Sequence, residues 1–481
     1  MKKNIQKIYL LYPPVSKLER YSSKIGAAGG EQLPLGIYYL ASYLLENGYL
    51  VKVTDAEANH LTVNEILNEI DQFSPNFVGI SSTTVAFHRA LECANEIKNK
   101  FESIKIILGG PHITSNYKHA MSYPAFDYGV IGEGEITLKE LLDHICNHQP
   151  IEDIKGIVYR DQNDRVIKNP PREYISNLDI LPFPAYELVK NMRLYTPPPQ
   201  NYKSFPVATI ITSRGCPNQC TFCDRNVFGK KYRERSAENV FKEIKLLYEK
   251  YQIKEIQFVD DTFLISKKRI YNLFELLDKA KIMLHWVCLS RINVVDYEFL
   301  KFLKSNGCWH ISFGIESGDD RILKLIKKNI KLDQAKQVIN WCKKLKIKSK
   351  GFFIIGHPGE NLETIDKTIK ISRELKLDDI VVTLNTPLPG SPQYFEANKY
   401  GKLDKTDWSK FNMWQPVFIP HGLSEEILLA KQKEMYRKFY LRPAIVLRYL
   451  ISFFKKGGLK RFLSVFSASF YLIDKEKNNL V

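Results

Sequence analysis

Cysteine is scarce in this chain, with 8 in 481 residues, and five of the eight stand singly at Cys93, Cys146, Cys288, Cys308 and Cys342. That scatter argues against a disulfide framework, which a chain long enough to bury a large core does not need. Unpaired thiols also point to a reducing compartment, the cytoplasm. No second cysteine pair is present of the kind that closes a structural zinc site. The opening Met1-Lys2-Lys3 leads into a short strand, with no long apolar run and no small-residue cleavage site, so no signal peptide is expected. The chain is not short of hydrophobic residues: 44% apolar and 12% aromatic describe an ordinary globular protein, and 481 residues predict two or three domains. It is short of negative charge, with 53 acidic against 70 basic residues and a formal charge of +17. Such a balance fits nucleic acid, an anionic substrate or an anionic membrane surface as partner.

The remaining three cysteines lie together in Ser213-Arg214-Gly215-Cys216-Pro217-Asn218-Gln219-Cys220-Thr221-Phe222-Cys223-Asp224. Cys216, Cys220 and Cys223 are spaced C-x3-C-x2-C, with an aromatic just before the third. Thiolates are the usual ligands of a [4Fe-4S] cluster. Three of them leave one iron without a protein ligand, free to take a substrate or cofactor. A zinc knuckle is the competing reading and would need a fourth ligand from elsewhere. Following a short apolar strand at residues 207–212, the motif resembles the radical S-adenosylmethionine (SAM) superfamily. The resemblance implies that the open iron chelates the amino and carboxylate groups of SAM, and that electron transfer cleaves the sulfonium to a 5'-deoxyadenosyl radical.

Ahead of this motif, strands are expected at residues 5–11, 50–54, 77–81, 104–108 and 128–131, alternating with helices. Leu33-Pro34-Leu35-Gly36 opens the first helix and Asn47-Gly48 stops it. Such alternation predicts a doubly wound parallel sheet, Rossmann-like, over residues 1–150. Ligands on these sheets bind at the carboxyl ends of the strands, where glycine lets a backbone approach closely. Any one of these glycines is explained by tight-turn geometry. Taken together, Pro-Leu-Gly, Gly109-Gly110-Pro111-His112 and Gly132-Glu133-Gly134-Glu135 resemble the cobalamin-binding domain fused ahead of many radical SAM enzymes. The resemblance implies cobalamin contacts from Pro34, Gly36, Ser81, Gly109, Gly110, Gly132 and Gly134. The Asp-x-His-x-x-Gly motif that ligates cobalt in methionine-synthase-type domains is absent, since the second strand ends Asp55-Ala56-Glu57-Ala58-Asn59-His60. Cobalamin is therefore expected with no histidine on cobalt.

Residues 151–204 read as a linker carrying a hairpin around residues 161–164, followed by proline-rich stretches. Over residues 205–420 longer units predict strands at 207–212, 256–259, 284–289, 310–315, 351–355 and 380–384. The six units make a partial (β/α)6 TIM-type barrel, the architecture of the radical SAM core, with its chemistry at the carboxyl ends of the strands. There the resemblance implies SAM contacts from Asp260 and Asp261, Arg291 and Glu316, and Gly356 and Gly359 of the adenine-side loop Gly356-His357-Pro358-Gly359-Glu360. Competing readings are a helix N-cap for the Asp pair, which Ser266 makes redundant, and a plain ion pair between Arg291 and Glu316. Pro387-Leu388-Pro389-Gly390 reads as a turn at the substrate mouth.

The last region, residues 421–481, reads as basic and helical. Between residues 437 and 473 there is no acid, while Arg437, Lys438, Arg442, Arg448, Lys455, Lys456, Lys460 and Arg461 are basic. Its apolar stretches, 443–454 and 462–473, are shorter than the roughly 20 residues of a spanning helix. Interfacial helices on an anionic membrane and a helical lid on the barrel are the two readings.

The expectation is a cobalamin-dependent radical SAM enzyme, with the resemblance covering residues 7–401. It implies C-methylation of an unactivated carbon in a small-molecule or lipid substrate by way of methylcobalamin. Hydrogen abstraction needs no titratable base, so no catalytic acid or base is named. The expected partners are that substrate and an external one-electron reductant of flavodoxin or ferredoxin type. The protein would be cytoplasmic and peripheral to the inner face of the membrane, with nucleic acid not expected. A radical cyclase or rearrangement enzyme with the same cofactors is the alternative. A tRNA methylthiotransferase would carry three N-terminal cysteines, where this chain has Cys93 and Cys146. The remaining class is a non-enzymatic zinc and nucleic-acid-binding module.

Overall fold

The computed structural model describes residues 6–21, 30–443 and 445–447. Residues 26–29 of the glycine-rich stretch and the chain beyond 447, with nearly all of both apolar tail stretches, lie outside the described residues.

Seven strands build the first sheet: β1 (Lys7–Tyr12), β2 (Leu50–Asp55), β3 (Phe77–Ser81), β4 (Lys105–Gly109), β5 (Tyr128–Val130), β6 (Ile157–Arg160) and β7 (Val166–Lys168). Strand β1 shows why an unbroken apolar run becomes a central strand. Ile8 and Leu10 pack into one core, while Tyr9 and Leu11 pack into another on the opposite face. The order is β2-β1-β3-β4-β5-β6-β7, and the first five strands run parallel. Strand order reverses between β1 and β3, which opens a crevice at their carboxyl ends. The helix Val63–Phe73 starts on a capping box between Thr62 and Glu65. The hairpin assigned from sequence to the linker is β6–β7, which adds antiparallel to β5. It thereby covers an edge that would otherwise offer unpaired backbone groups.

The second sheet takes β8 (Val207–Ile210), then an antiparallel clasp of β9 (Ser213–Arg214) with β10 (Arg233–Glu234), then β11 (Glu255–Phe258), β12 (His285–Ser290), β13 (Cys308–Glu316), β14 (Lys348–Ile355) and β15 (Asp379–Leu384). The order β8-β11-β12-β13-β14-β15 is parallel throughout, so six consecutive units form an open barrel. Its amino end is closed by the linker: Lys203 N and Ser204 N donate to Glu255 Oε2 at 2.7 and 2.6 Å. Trp309 Nε1 donates to the other oxygen of Glu255 at 2.9 Å.

The barrel edge at β15 is covered by the helix Glu425–Tyr440. Gln432 Nε2 donates to Val382 O at 2.8 Å, and Val382 N donates to Tyr436 Oη at 2.8 Å. The start of the basic tail is thus a helix docked on the edge strand. One apolar core runs without a break from the inner face of β1 to this helix.

Candidate active site between the two sheets

Both sheets turn the carboxyl ends of their strands onto one cavity of about 1140 Å³. Pro34, Gly36, Ser81, Gly109, Gly110, Gly132 and Gly134 line it from the first sheet. Cys216, Cys220, Cys223, Asp261, Arg291 and Glu316 line it from the barrel. Asp260, Gly356 and Gly359 are not in the lining.

The cysteine loop leaves the barrel through the β9–β10 clasp and returns through it. Gly215, at φ +84°, is demanded by sterics, because a Cβ there would lie 2.2 Å from Lys231 O. Cys220 is buried, while Cys216 and Cys223 are half-buried. Arg291 Nη1 lies 3.5 Å from Cys220 Sγ, and Asn218 Nδ2 lies 3.2 Å from Cys216 Sγ. Burial first, then Asp261 and the other two cysteines, pushes the Cys223 thiol up to about 12. Among the described residues, no three His, Cys, Asp or Glu side chains are gathered as they would be round a single metal ion. The three thiols instead face a shared cavity beside Arg291, a donor set that fits a cluster with one open iron.

The Asp pair divides. Asp260 is buried, and its Oδ1 accepts from Thr212 N, Thr212 Oγ1 and Ser213 Oγ at 3.0, 2.7 and 2.5 Å. It ties the exit of β11 to the exit of β8. Asp261 faces the cavity. Burial raises both carboxyls, and Asp260 adds to the rise at Asp261. Ser266 sits at the N-cap position of the helix Lys267–Lys279 without capping it. Its hydroxyl donates to Glu234 Oε1 at 3.0 Å instead, which corrects the reading that Ser266 supplies the cap.

Arg291 and Glu316 are not paired with each other, which corrects the ion-pair reading. Glu316 Oε1 takes Lys328 Nζ at 2.6 Å, and the Arg291 guanidinium donates to Lys328 O. Glu316 holds φ +68°, a left-handed conformation rare outside glycine. A Cβ on Gly314 would come within 2.4 Å of Glu316 Oε1 and 2.5 Å of Lys328 Nζ, so glycine is needed there. Lys328 was missed in the sequence, because Lys327-Lys328 reads as a solvated charge run.

The Gly356–Glu360 loop lies behind the cysteine loop. Glu360 Oε2 accepts from Gly356 N and His357 N at 2.6 and 3.0 Å and fixes the turn. Burial pushes the Glu360 carboxyl up to about 8 and the fully buried His357 down to about 3. Among the described residues, neither ring nitrogen of His357 has a partner, and its ring lies 5.7 Å from that of Phe222.

On the other side the floor is backbone. Among the described residues, Gly36 and Gly109 have no atom within 4 Å of where a Cβ would stand, so side chains there would fill cavity space. Gly110, at φ +96°, abuts Ser82, whose O would lie 2.8 Å from its Cβ. This is a cradle of the kind a flat corrin ring fits. His60 and His112 lie outside the lining, and no histidine is among the described residues that line the cavity.

The two halves are joined where sequence reading saw only turn residues. Glu133 takes Arg214 and Arg233, each at 2.9 Å, and Glu135 takes Arg214 at 2.5 Å. All four side chains are buried. The arginines flank the cysteine loop on β9 and β10, and the glutamates sit in the Gly-Glu-Gly-Glu turn of the first sheet. Glu133 also accepts from Ile175 N at 2.8 Å. The readable signal was two arginines bracketing the cysteines against two glutamates in a glycine turn.

A parallel sheet with glycine-ended strands, facing a six-stranded partial barrel that carries a three-cysteine loop, defines a corrinoid-binding fold coupled to a radical SAM core. Residues 210–371 match the model of the Radical SAM superfamily, and residues 24–142 match that of the B12 binding domain. The uncharacterized methyltransferase PH0819 of Pyrococcus horikoshii is 36% identical over 471 residues, covering 96% of this chain and 99% of the relative. The anaerobic magnesium-protoporphyrin IX monomethyl ester cyclase of Rubrivivax gelatinosus is 28% identical, covering 94% of this chain and 82% of the relative. Among solved structures, the cobalamin-dependent SAM radical enzyme OxsB, with aqua-cobalamin and SAM bound, shares the fold. Its TM-score is 0.74 at 18% identity, covering 98% of this chain and 72% of that one. The chain belongs to the family of radical SAM enzymes that carry a B12-binding domain. It is an enzyme of [4Fe-4S] cluster, SAM and cobalamin.

Proposed function

We propose that the enzyme methylates an unactivated carbon of a small-molecule or lipid substrate, with Cys216, Cys220 and Cys223 as cluster ligands. The observation that carries this reading is the single cavity shared by the cysteine loop and the glycine floor. The name of the Pyrococcus horikoshii relative, matched over nearly its whole length, supports methyl transfer. The Rubrivivax gelatinosus relative, named a cyclase, supports a second reading in which the same cofactors drive ring closure.

When bound, the cluster and SAM supply a 5'-deoxyadenosyl radical and cobalamin supplies a methyl carrier. The protein's own part is placement and exclusion of water. Asp261, Arg291 and Glu316 suit the charged methionyl end of SAM, with Lys328 holding the Glu316 carboxylate in place. Asp260 acts from behind by fixing the turn that presents Asp261, and Gly356 and Gly359 shape the loop behind Phe222. Pro34, Gly36, Ser81, Gly109, Gly110, Gly132 and Gly134 form the cobalamin cradle. No side chain is assigned as a catalytic acid or base. An external one-electron reductant is required, and the basic chain beyond residue 447 is proposed to rest on an anionic membrane.

Anaerobic incubation with SAM, cobalamin and reductant tests the reading. Formation of both S-adenosylhomocysteine and 5'-deoxyadenosine is expected. 5'-Deoxyadenosine alone would favour the cyclase reading.

A further inference from the structure

Between the glycine floor and the cysteine loop lies a set of hydrogen bonds that neither cofactor reading uses. Ser115 Oγ donates to Asp224 Oδ2 at 2.5 Å. Asn226 N donates to Asp224 Oδ1 at 3.0 Å, and Asn226 Nδ2 donates to Ser115 Oγ at 3.4 Å. The three residues close a triangle between the two halves of the chain.

Two corners are tied directly to the two proposed cofactor sites. Ser115 belongs to the helix Pro111–Ala120, which starts directly after Gly110 of the floor. Its neighbour Thr114 anchors that start: Thr114 Oγ1 donates to Gly110 O at 2.8 Å and accepts from Gly132 N at 3.1 Å. Asn116 leaves the helical conformation, at φ −140° and ψ 46°, so residues 111–115 are set off from the rest of the helix. On the other side, Asp224 directly follows Cys223. A single peptide unit separates the triangle from a proposed cluster ligand.

A third segment leaves the triangle no slack. Gly390, at φ +89°, packs against all three residues. A Cβ there would lie 2.3 Å from Asn226 Nδ2 and 2.7 Å from both Asp224 Oδ1 and Ser115 Oγ. Three residues on, Gln393 grips the cysteine loop itself: its N donates to Thr221 O at 3.0 Å and its Nε2 to Thr221 Oγ1 at 3.1 Å. The loop is thus held on both sides of Cys223. This join differs from the buried pairing of Glu133 with Arg233. Ser115 and Asp224 are half-buried and share one hydrogen bond, a contact that can be made and lost without unfolding either half.

We infer that Ser115 and Asp224 are positioning residues that couple the two cofactor sites: cobalamin seated on the glycine floor holds the cysteine loop in its SAM-binding arrangement. The inference rests on the cofactor placement proposed above. A loop already fixed by the first ligand costs the second less to order, so the coupling is positive. By linkage it is equal in both directions.

Its test is the SAM affinity of the cluster-loaded enzyme, measured by anaerobic equilibrium dialysis with and without saturating hydroxocobalamin. No reductant is added, so SAM binds without being cleaved. The parent should bind SAM at least about fivefold more tightly when hydroxocobalamin is present. Ser115→Ala should keep the cluster absorbance and bind each ligand alone as the parent does, yet lose most of that factor. Gly390→Ala, which drives a methyl group into the triangle, should lose it as well. Ser122→Ala removes a hydroxyl that bonds only locally, to His119 O, and should keep the parent's factor. Equal SAM affinity with and without hydroxocobalamin overturns the inference. So does a full gain in Ser115→Ala, the result expected if the two ligands couple only by touching each other in the cavity. Failure of the cofactor placement reads differently: Gly109→Val would then bind hydroxocobalamin as tightly as the parent.

Discussion

The two sheets offer their strand ends to the same cavity and equip them in opposite ways. The first presents backbone: Gly36 and Gly109 with open space where a Cβ would stand, and Gly110 and Gly132 at positive φ. The barrel presents side chains: three thiols, Asp261, Arg291 and the Glu316–Lys328 pair. A large flat ring is met by close approach over an area, which side chains obstruct. A cluster and a zwitterion are met by ligands and charges, which a bare backbone supplies poorly. On the placement proposed above, glycine on one side and charge on the other are complementary answers to two cofactors of different shape.

The largest effect should come from the barrel side. Replacing Cys216, Cys220 or Cys223 with alanine should abolish the cluster's charge-transfer absorbance and all SAM cleavage. Cys288→Ala should retain both, since Cys288 is buried in the core at β12. Equal loss from Cys288→Ala would overturn the ligand assignment.

The matching change on the glycine side is Gly109→Val. Because no atom of the described residues stands within 4 Å of the added Cβ, the fold and cluster should survive. The cradle would be filled, and cobalamin affinity measured by titration should fall by at least about tenfold. Unchanged affinity would mean that the corrin does not lie on this floor.

The join between the halves should register as stability. Glu133→Ala strips Arg233 of a buried partner and Ile175 N of its acceptor. Breaking a buried ion pair from one side costs about 3–5 kcal/mol, readable as a fall in the urea midpoint. A change below about 1 kcal/mol, the level of an exposed pair, would show that the clasp contributes little.

A smaller, pH-dependent effect is expected behind the cysteine loop. Burial lifts the Glu360 carboxyl from 4.5 to about 8. Between those values the unfolded chain has released the proton and the folded chain still holds it, so stability falls as pH rises. Glu360→Gln should therefore gain on the parent as pH is raised from about 5 to about 8, with the two converging below the lower value. A constant difference across that range would place the carboxyl in solvent contact.

Most of the architecture could be read from the sequence because strand–helix alternation is a local signal. All six barrel strands and the five parallel strands of the first sheet were found, their ends displaced by a few residues. The helix Pro111–Ala120 was missed, since Gly109-Gly110-Pro111 reads as a turn and Asn116 breaks the helical backbone inside it. The two-residue clasp β9–β10 has no periodicity to find. Cys216, Cys220 and Cys223 were legible because their spacing is fixed within one loop. Lys328 and the Glu133–Arg233 pair were not, because partners 12 and 100 residues apart meet only in three dimensions. The division between Asp260 and Asp261 was equally hidden, since adjacent residues at a strand end point to different sides.

The smallest effect concerns the basic tail, where a side chain's worth depends on the salt. Up to Tyr440 the region is a docked helix, with Met435 and Phe439 buried against the barrel edge. Beyond residue 447 the sequence carries Arg448, Lys455, Lys456, Lys460 and Arg461, with no acid before Asp474. Each basic side chain near an anionic leaflet contributes about 1 kcal/mol, within a Debye length of about 10 Å at 0.1 M salt. Full-length protein should therefore sediment with phosphatidylglycerol vesicles at low salt and return to solution at high salt. A chain ending at Leu447 keeps the docked helix, so it should retain the cluster and ignore the vesicles at either salt concentration. Cutting at Tyr436 would be a poorer comparison, because it removes Phe439 from the core. If full-length protein stays in solution at low salt, the tail is better read as an extension of the lid. A soluble small-molecule substrate would then be the better reading than a lipid.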